Sequence, residues 1–360
     1  MPPSPAPLVV ARPDPGLSAR VEREVPLFYA DGADPALDRP AYVRAGSGLA
    51  RVHTPAGLRL AVVQDDANFI ALVHPVSGRA ECVTLPAGPD GRRLFEVGRG
   101  NKLDKMDLES CLVLPDPERA GAAMLVALGS GALAVRERIV VVRGLDARGA
   151  AGAEVRVVDA SRLYALLRGI AEFAGAEMNV EGAARVGAAD GAVVRLFSRG
   201  NGAAAAQTAA GAGGGSATCD IDAEAFAAYL LDPANTPVPP PTRVVRYDLG
   251  AIDGEALGFT DAMPWATPRG EGVLYTAAAE RSVNAIEDGP VAGSVLGVID
   301  ADGGARWAPL VEASGARFTR KAEGVARGDA PGRVWIVLDV DDPAQPAVLC
   351  EVVLDGAWGG

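Results

Sequence analysis

Histidine is almost absent from this 360-residue chain, with His53 and His74 the two copies. Each lies within two residues of a proline at a strand-like end and neither stands in a nucleophile motif, so a His-dependent triad or a His-rich zinc site has almost nothing to be built from. Cations are in deficit: 34 Lys and Arg oppose 46 Asp and Glu, for a net charge of -12. Nucleic acid and anionic membrane surfaces, which demand a cationic face, are therefore excluded as partners. Cys82, Cys111, Cys219 and Cys350 are widely spaced with no C-x-x-C pair, which reads as buried reduced thiols. The opening MPPSPAPLVVARPDPGL lacks a cationic head before a long apolar stretch, so neither a secretory signal nor a membrane span is expected there and a cytoplasmic location is. Lysine is nearly as scarce as histidine. Lys102, Lys105 and Lys321 are the three copies, each within seven residues before a glutamate that proves to be part of a repeat.

What is present is that repeat. Asp107-Leu108-Glu109-Ser110 recurs as Asn179-Val180-Glu181-Gly182, Asp253-Gly254-Glu255-Ala256 and Lys321-Ala322-Glu323-Gly324, with the glutamates 72, 74 and 68 residues apart. After each comes a small residue, an apolar run, a turn and a second apolar run. A weaker copy places Ser47-Gly48-Leu49-Ala50 where Glu323-Gly324-Val325-Ala326 stands later, and the two are followed by the aspartate pairs Asp65-Asp66 and Asp341-Asp342. Five units result.

Residues 1–16 hold six prolines and read as a flexible arm, leaving 17–360 as one domain. Units one, two and four each offer four short strand-like runs, which spells small antiparallel sheets. Unit two adds SRLYALLRGIAEFAG, whose Leu163, Leu166, Leu167, Ile170 and Phe173 share a helical face behind a cap at Asp159 or Ser161. Unit three carries an Ala/Gly-rich loop, 202–217. Unit five lacks one strand, and LSARVEREVPLFYA, which belongs to no unit, can supply it and join the chain's two ends. Radial repetition of four-stranded sheets is the β-propeller, so the expected fold is all-β with five blades, or six if residues 86–106 or the loop of unit three hide a further sheet.

Alternate strand residues share a face. Asp107 and Glu109, Asn179 and Glu181, Asp253 and Glu255, and Lys321 and Glu323 therefore project together, and if each glutamate opens the innermost strand of its blade, Glu109, Glu181, Glu255 and Glu323 converge near one end of the axis. Two carboxylates about 7 Å apart repel by roughly 2 kcal/mol at an effective dielectric near 20, so such a ring requires counter-charge or protonation. Lys105, Lys321, Arg99 and Arg199 can supply it as ion-pair partners. Backbone N–H groups of a neighbouring loop can, leaving the acids as structural staples. A calcium ion can, because hard cations take six to eight oxygen ligands and this end offers carboxylates, Asn and carbonyls. The phrase Arg-Gly-Asn occurs twice, as Arg99-Gly100-Asn101 and Arg199-Gly200-Asn201, and is either an ordinary glycine turn or a fork for an anion.

The strings KMDLES, MNVEGAARV, RLFSRGNG, LGFTDA, YTAAAE, GSVLGVID and KAEGVA resemble a branch of the bacterial phytase-like, "esterase-like activity" β-propeller proteins. That resemblance implies an acidic mouth, with Glu109, Glu181, Glu255 and Glu323 as candidate metal ligands and calcium-assisted hydrolysis of an ester or phosphoester. Lys105, Asp107, Arg99, Asn101, Asn179, Arg199, Asn201, Asp253 and Lys321 are the candidates for holding a small polar or anionic ligand. The alternative is a non-catalytic propeller that binds a ligand or a protein. A chain closed upon itself is expected to act as a monomer.

Overall fold

The structure is a computed structural model, and it describes residues 5–187, 191–199, 215–281 and 289–359. The chain is all-β and propeller-like, built from small antiparallel sheets. Unit one comprises Gly46–Thr54, Gly57–Gln64, Phe69–Val73 and Arg79–Thr84, and unit two Leu108–Pro115, Ala123–Gly129, Arg138–Arg143 and Glu154–Asp159. Unit three comprises Val180–Val186, Val193–Ser198, Ser216–Asp222 and Thr242–Asp248, and unit four Glu255–Thr267, Gly270–Glu280, Val291–Ile299 and Ala305–Val311. Unit five takes Ala322–Arg327, Arg333–Leu338 and Val348–Gly356 from the end of the chain and Leu17–Pro26 from its beginning. The N-terminal strand pairs antiparallel with Val348–Gly356, as its orphan status suggested. It also touches the last strand of unit four in a short parallel pairing, so units four and five form one ten-stranded sheet.

Apolar side chains fill the spaces between units. One buried cluster joins Leu112 and Met124 of unit two to Val180 and Leu196 of unit three, and another joins Ala50 and Val63 of unit one to Leu125 and Val140 of unit two. Others join Phe197 to Phe259 and Tyr275, Leu296 and Leu310 to Val325 and Ile336, and Trp335 and Leu349 to Leu60 and Ala71. Each unit thus shares a core with two others. The C-terminal Trp358 is buried, its indole donating to the Ser18 carbonyl while its own carbonyl accepts from Trp265, which pins the tail beside the joined first and last strands.

The first strand of each unit carries a β-bulge, and the bulged residues are Ser47, Glu109, Glu181, Thr260 and Glu323. A bulge leaves one residue unpaired and turns it out of the ladder. In units one, two, three and five the residue that follows is Gly or Ser, because neighbouring first strands approach to backbone contact there. A Cβ on Gly324 would lie 2.6 Å from the Leu49 nitrogen, one on Gly48 2.9 Å from the Ser110 Cα, and one on Gly182 3.2 Å from the Asp261 Cα. Where the bulged residue is a hydroxyl it staples the next unit: Ser47 donates to the Leu108 carbonyl, and Thr260 donates to the Ala322 carbonyl at 2.6 Å.

Three expectations are corrected. Residues 8–13, placed in a flexible arm, form the short strands Leu8–Val10 and Arg12–Pro13, which add in parallel to the outer edges of units three and four. The single helix of unit two is broken at Gly169–Ile170 into Ser161–Arg168 and Ala171–Ala174, with Leu166 exposed, and its N-cap is Ala160 rather than Asp159 or Ser161, although the Asp159 carboxylate just before it accepts the Ser161 amide. Residues 86–106 form two single-turn helices and no sheet. Residues 202–214 of the Ala/Gly-rich loop lie outside the described residues. Among the described residues no helix is long and apolar enough to cross a membrane.

The close approach of first strands makes a stability prediction. Gly324→Ala forces a methyl into backbone and should cost about 1–3 kcal/mol in denaturant unfolding. Gly98→Ala, where a Cβ meets nothing within 4 Å, should stay within about 0.5 kcal/mol of the parent.

Candidate functional site

The bulges aim three glutamates at common ground. Glu181 and Glu323 are 4% and 3% exposed and Glu109 is half-buried. Around them the loops that follow the second strands bring Asp65, Asp66, Asp339 and Arg199, and the segments that precede the first strands bring Lys105, Asp107, Asn179 and Lys321. Two ion-pair groups form. In one, the Lys105 ammonium lies 2.6 Å from Asp65, 2.8 Å from Asp66 and 2.8 Å from Asp107, while Arg136 grips the other oxygen of Asp107 at 2.7 Å beside the Ser130 hydroxyl. In the other, Lys321 lies 2.8 Å from Glu323 and 3.3 Å from Glu280, and Arg199 lies 2.6 Å from Glu280 and 3.5 Å from Glu181. Asn179 donates to Glu181.

The charges do not balance. Eight carboxylates, Asp65, Asp66, Asp107, Glu109, Glu181, Glu280, Glu323 and Asp339, face four cations, Lys105, Arg136, Arg199 and Lys321. Titration follows the imbalance. Burial pushes the Glu109 carboxyl well up, reinforced by Asp107, Asp65 and Glu181, and pushes Asp65 up with help from Asp66. Burial also raises Glu181 and Glu323 against the partial relief of Arg199 and Lys321, and carries Asp339 to about 6 with Asp341 adding to it. For Asp107 and Glu280 burial is outweighed. Lys105 and Arg136 hold Asp107 below its ordinary value, and Lys321 with Arg199 hold Glu280 at about 2. The two lysines are held protonated by the acids despite burial.

Oxygens of Asp65, Asp107 and Glu109 lie within 4.8 Å of one another. Two ligands each about 2.4 Å from one calcium ion are at most about 4.8 Å apart, so the span suits that ion. Oδ1 of Asp65 is buried with no protein partner, as is Oε2 of Glu323. The donor set is all carboxylate, which suits a hard cation. Beside the cluster a cavity of about 730 Å³ has the charged lining Asp66, Glu96, Asp339, Asp341 and Asp342 together with Arg44 and Lys102.

Other expected residues stand elsewhere. Glu255 pairs with Arg281 at 2.6 Å and Asp253 with Arg317 on the partly exposed rim of unit four, and neither joins the cluster. The repeat position in that unit is Thr260, followed by Asp261 where other units have Gly or Ser. The buried Asp261 carboxylate accepts the Val325 amide at 2.9 Å and so ties unit four to unit five. Arg99 is paired with Asp38 at 2.9 Å and with Glu96, and Asn101 bonds Asp90 and the Leu94 carbonyl, so the first Arg-Gly-Asn phrase ties its loop together and anchors it to Asp38. Asn201 lies outside the described residues, while Arg199 sits in the cluster. His53 and His74 are exposed and all four cysteines are free. Asp65, Asp66, Asp339, Glu280 and Arg136 were missed. The aspartate pair after the second strand was the one signal in the sequence, since Arg136 and Glu280 belong to no repeated phrase.

Fold and site together define an all-β, propeller-like protein with a buried, ion-paired carboxylate cluster near the bulged ends of its first strands. The chain belongs to a family of unknown function, DUF6929, whose model matches residues 42–354. That match, and no phytase-like family, is what the chain's strings correspond to. No curated protein matches it. Among solved structures it is similar to a glutaminyl cyclase from Myxococcus xanthus, at 10% identity over 98% of this chain and 99% of that one with a TM-score of 0.41. It is also similar to a gluconolactonase from Xanthomonas campestris, at 11% identity over 93% and 98% with a TM-score of 0.35. Likenesses this weak carry no argument about activity.

The titration directions predict an acid-side optimum. A group raised in the folded state contributes stability that is fully present below its unfolded value and lost as pH rises through the folded one. Asp339, about 6 folded against 3.8 for the ordinary side chain, should therefore cost stability as pH rises from about 4 to 6. Glu280 has the opposite sign: its contribution is present above about 4.5 and lost as pH falls toward 2. Thermal unfolding across pH 3–7 should show a smaller loss of Tm between pH 4 and 6 in Asp339→Asn than in the parent.

Proposed function

We propose that the five units are the blades of a closed five-bladed propeller and that its acidic end binds one divalent cation, calcium foremost, through Asp65, Asp107 and Glu109. Closure is supported by the cycle of packed first strands, in which that of unit one touches those of units two and five and the rest follow in chain order. The cation is supported above all by the excess of four carboxylates over cations at that end, with a partnerless buried oxygen on Asp65, one of the three candidate ligand residues. The site's natural ligand on this reading is a small polar anion that enters by the 730 Å³ cavity. When bound, the cation supplies positive charge that neutralises the acids and polarises an ester or phosphoester oxygen. Arg44 and Lys102, on the cavity wall, steady the anion, and the acid cluster keeps the pole of the cavity negative until the ion arrives. Four free thiols suit the cytoplasmic location that belongs to the same reading.

One observation favours a second reading. Lys105 already lies within 2.8 Å of Asp65, Asp66 and Asp107 and can serve as the built-in counter-ion of a non-catalytic scaffold.

Calcium separates the two. Saturating calcium at pH 7 should raise the Tm of the parent, with a stabilisation of about 2.7 kcal/mol at a hundredfold excess over Kd, and chelator should reverse it. Glu109→Gln should raise the Tm of the calcium-free protein by removing a repelled carboxylate and abolish the response to calcium. Unchanged melting with millimolar calcium overturns the cation and leaves the scaffold. In that case Lys105→Met should still cost about 3–5 kcal/mol, the usual result of stripping one partner from a buried ion group.

A further inference from the structure

The same five strands build a second opening, about 13 Å further along at roughly 3.3 Å per residue. Two positions past each bulge every residue is apolar, Leu49, Cys111 and Val325 being the largest. Four positions past it stand Arg51, Arg185 and Arg327, with Val113 and Pro264 in the remaining strands. These residues line a cavity of about 280 Å³ whose wall is mainly apolar.

The three arginines are not equivalent. Arg51 is committed, donating at 2.8 Å to the carbonyls of Arg327 and Gly328 and pairing with Asp329 at 3.2 Å. Arg327 lies over the Trp265 ring at 4.3 Å, and among the described residues it has no carboxylate partner. Arg185 has none either, and its Nε is buried without a hydrogen bond. Two guanidinium groups without counter-charge thus stand at the entrance of an oily cavity, in a protein that carries an excess of acid nearly everywhere else.

We propose that this opening binds a small monocarboxylate with a short hydrocarbon tail, the carboxylate on Arg185 and Arg327 and the tail among Leu49, Cys111 and Val325. A planar guanidinium fork matches a carboxylate in geometry and charge. A ligand of higher charge finds no further donors beyond the rim, and an uncharged one leaves the guanidinium groups uncompensated. The inference concerns the opposite end of the axis from the acid cluster and stands whether or not that cluster holds a cation.

Calorimetric titration of the full chain with hexanoate, acetate and 1-hexanol tests it. Hexanoate should bind saturably at millimolar concentration, roughly tenfold or more tighter than acetate, which lacks the tail, or 1-hexanol, which lacks the charge. The double variant Arg185→Gln, Arg327→Gln should weaken hexanoate by roughly tenfold and leave 1-hexanol unchanged. Cys111→Met, which narrows the apolar end with both arginines intact, should weaken hexanoate and leave acetate unchanged. The proposal is overturned if hexanoate gives no saturable heat, if acetate or 1-hexanol binds equally well, or if both variants bind hexanoate as the parent does.

Discussion

The backbone contact between neighbouring first strands is the constraint from which the rest follows. Gly48, Gly182 and Gly324 are glycine because a Cβ at each would enter the next strand, and the bulge immediately before each turns one side chain out of the ladder. Strands so close bring those side chains into one small volume. Where they are Ser47 and Thr260 the result is a hydrogen bond to the next unit, and where they are Glu109, Glu181 and Glu323 it is a concentration of charge. The same geometry therefore holds the units together and creates the electrostatic problem at their common end.

The protein's answer to that problem is incomplete, and this makes the site chemically interesting. Arg136 and Lys105 settle Asp107, and Arg199 with Lys321 settle Glu280. Glu109 and Asp65 are left with raised proton affinity. A buried carboxylate that prefers to be neutral is ready for a proton or a metal ion. Specific pairing and residual deficit lie within one network, and Glu181, Glu323 and Asp339 share the raised proton affinity of Asp65 and Glu109.

Much of this was legible in the sequence because the repeat is long and its letters are physical. Glu181 and Glu323 could be placed because a glutamate, a glycine and an apolar run follow one another in both. The orphan strand 17–26 could be placed because unit five was one strand short. Unit four defeats the same method. Its turn Asp253-Gly254 and the following Glu255 copy the letters of the motif, but the bulge comes five residues later at Thr260-Asp261. What is repeated is the bulge itself, and a hydroxyl serves there as well as a carboxylate, as Ser47 already hinted in unit one. Glu280 and Arg136 were invisible for another reason: they reach the cluster from the end of a second strand and from the turn before a third, through distances that no one-dimensional spacing encodes.

The central claim is that surplus carboxylates at this end are held by protons that a divalent cation can displace. Calorimetric calcium titrations in two buffers of different ionisation enthalpy test it most directly, because a displaced proton is taken up by the buffer and its heat appears in the signal. The account predicts one calcium per chain, an apparent binding heat that differs between buffers at pH 6, and a smaller difference at pH 8. No calcium binding, or a heat independent of buffer at both pH values, would contradict it.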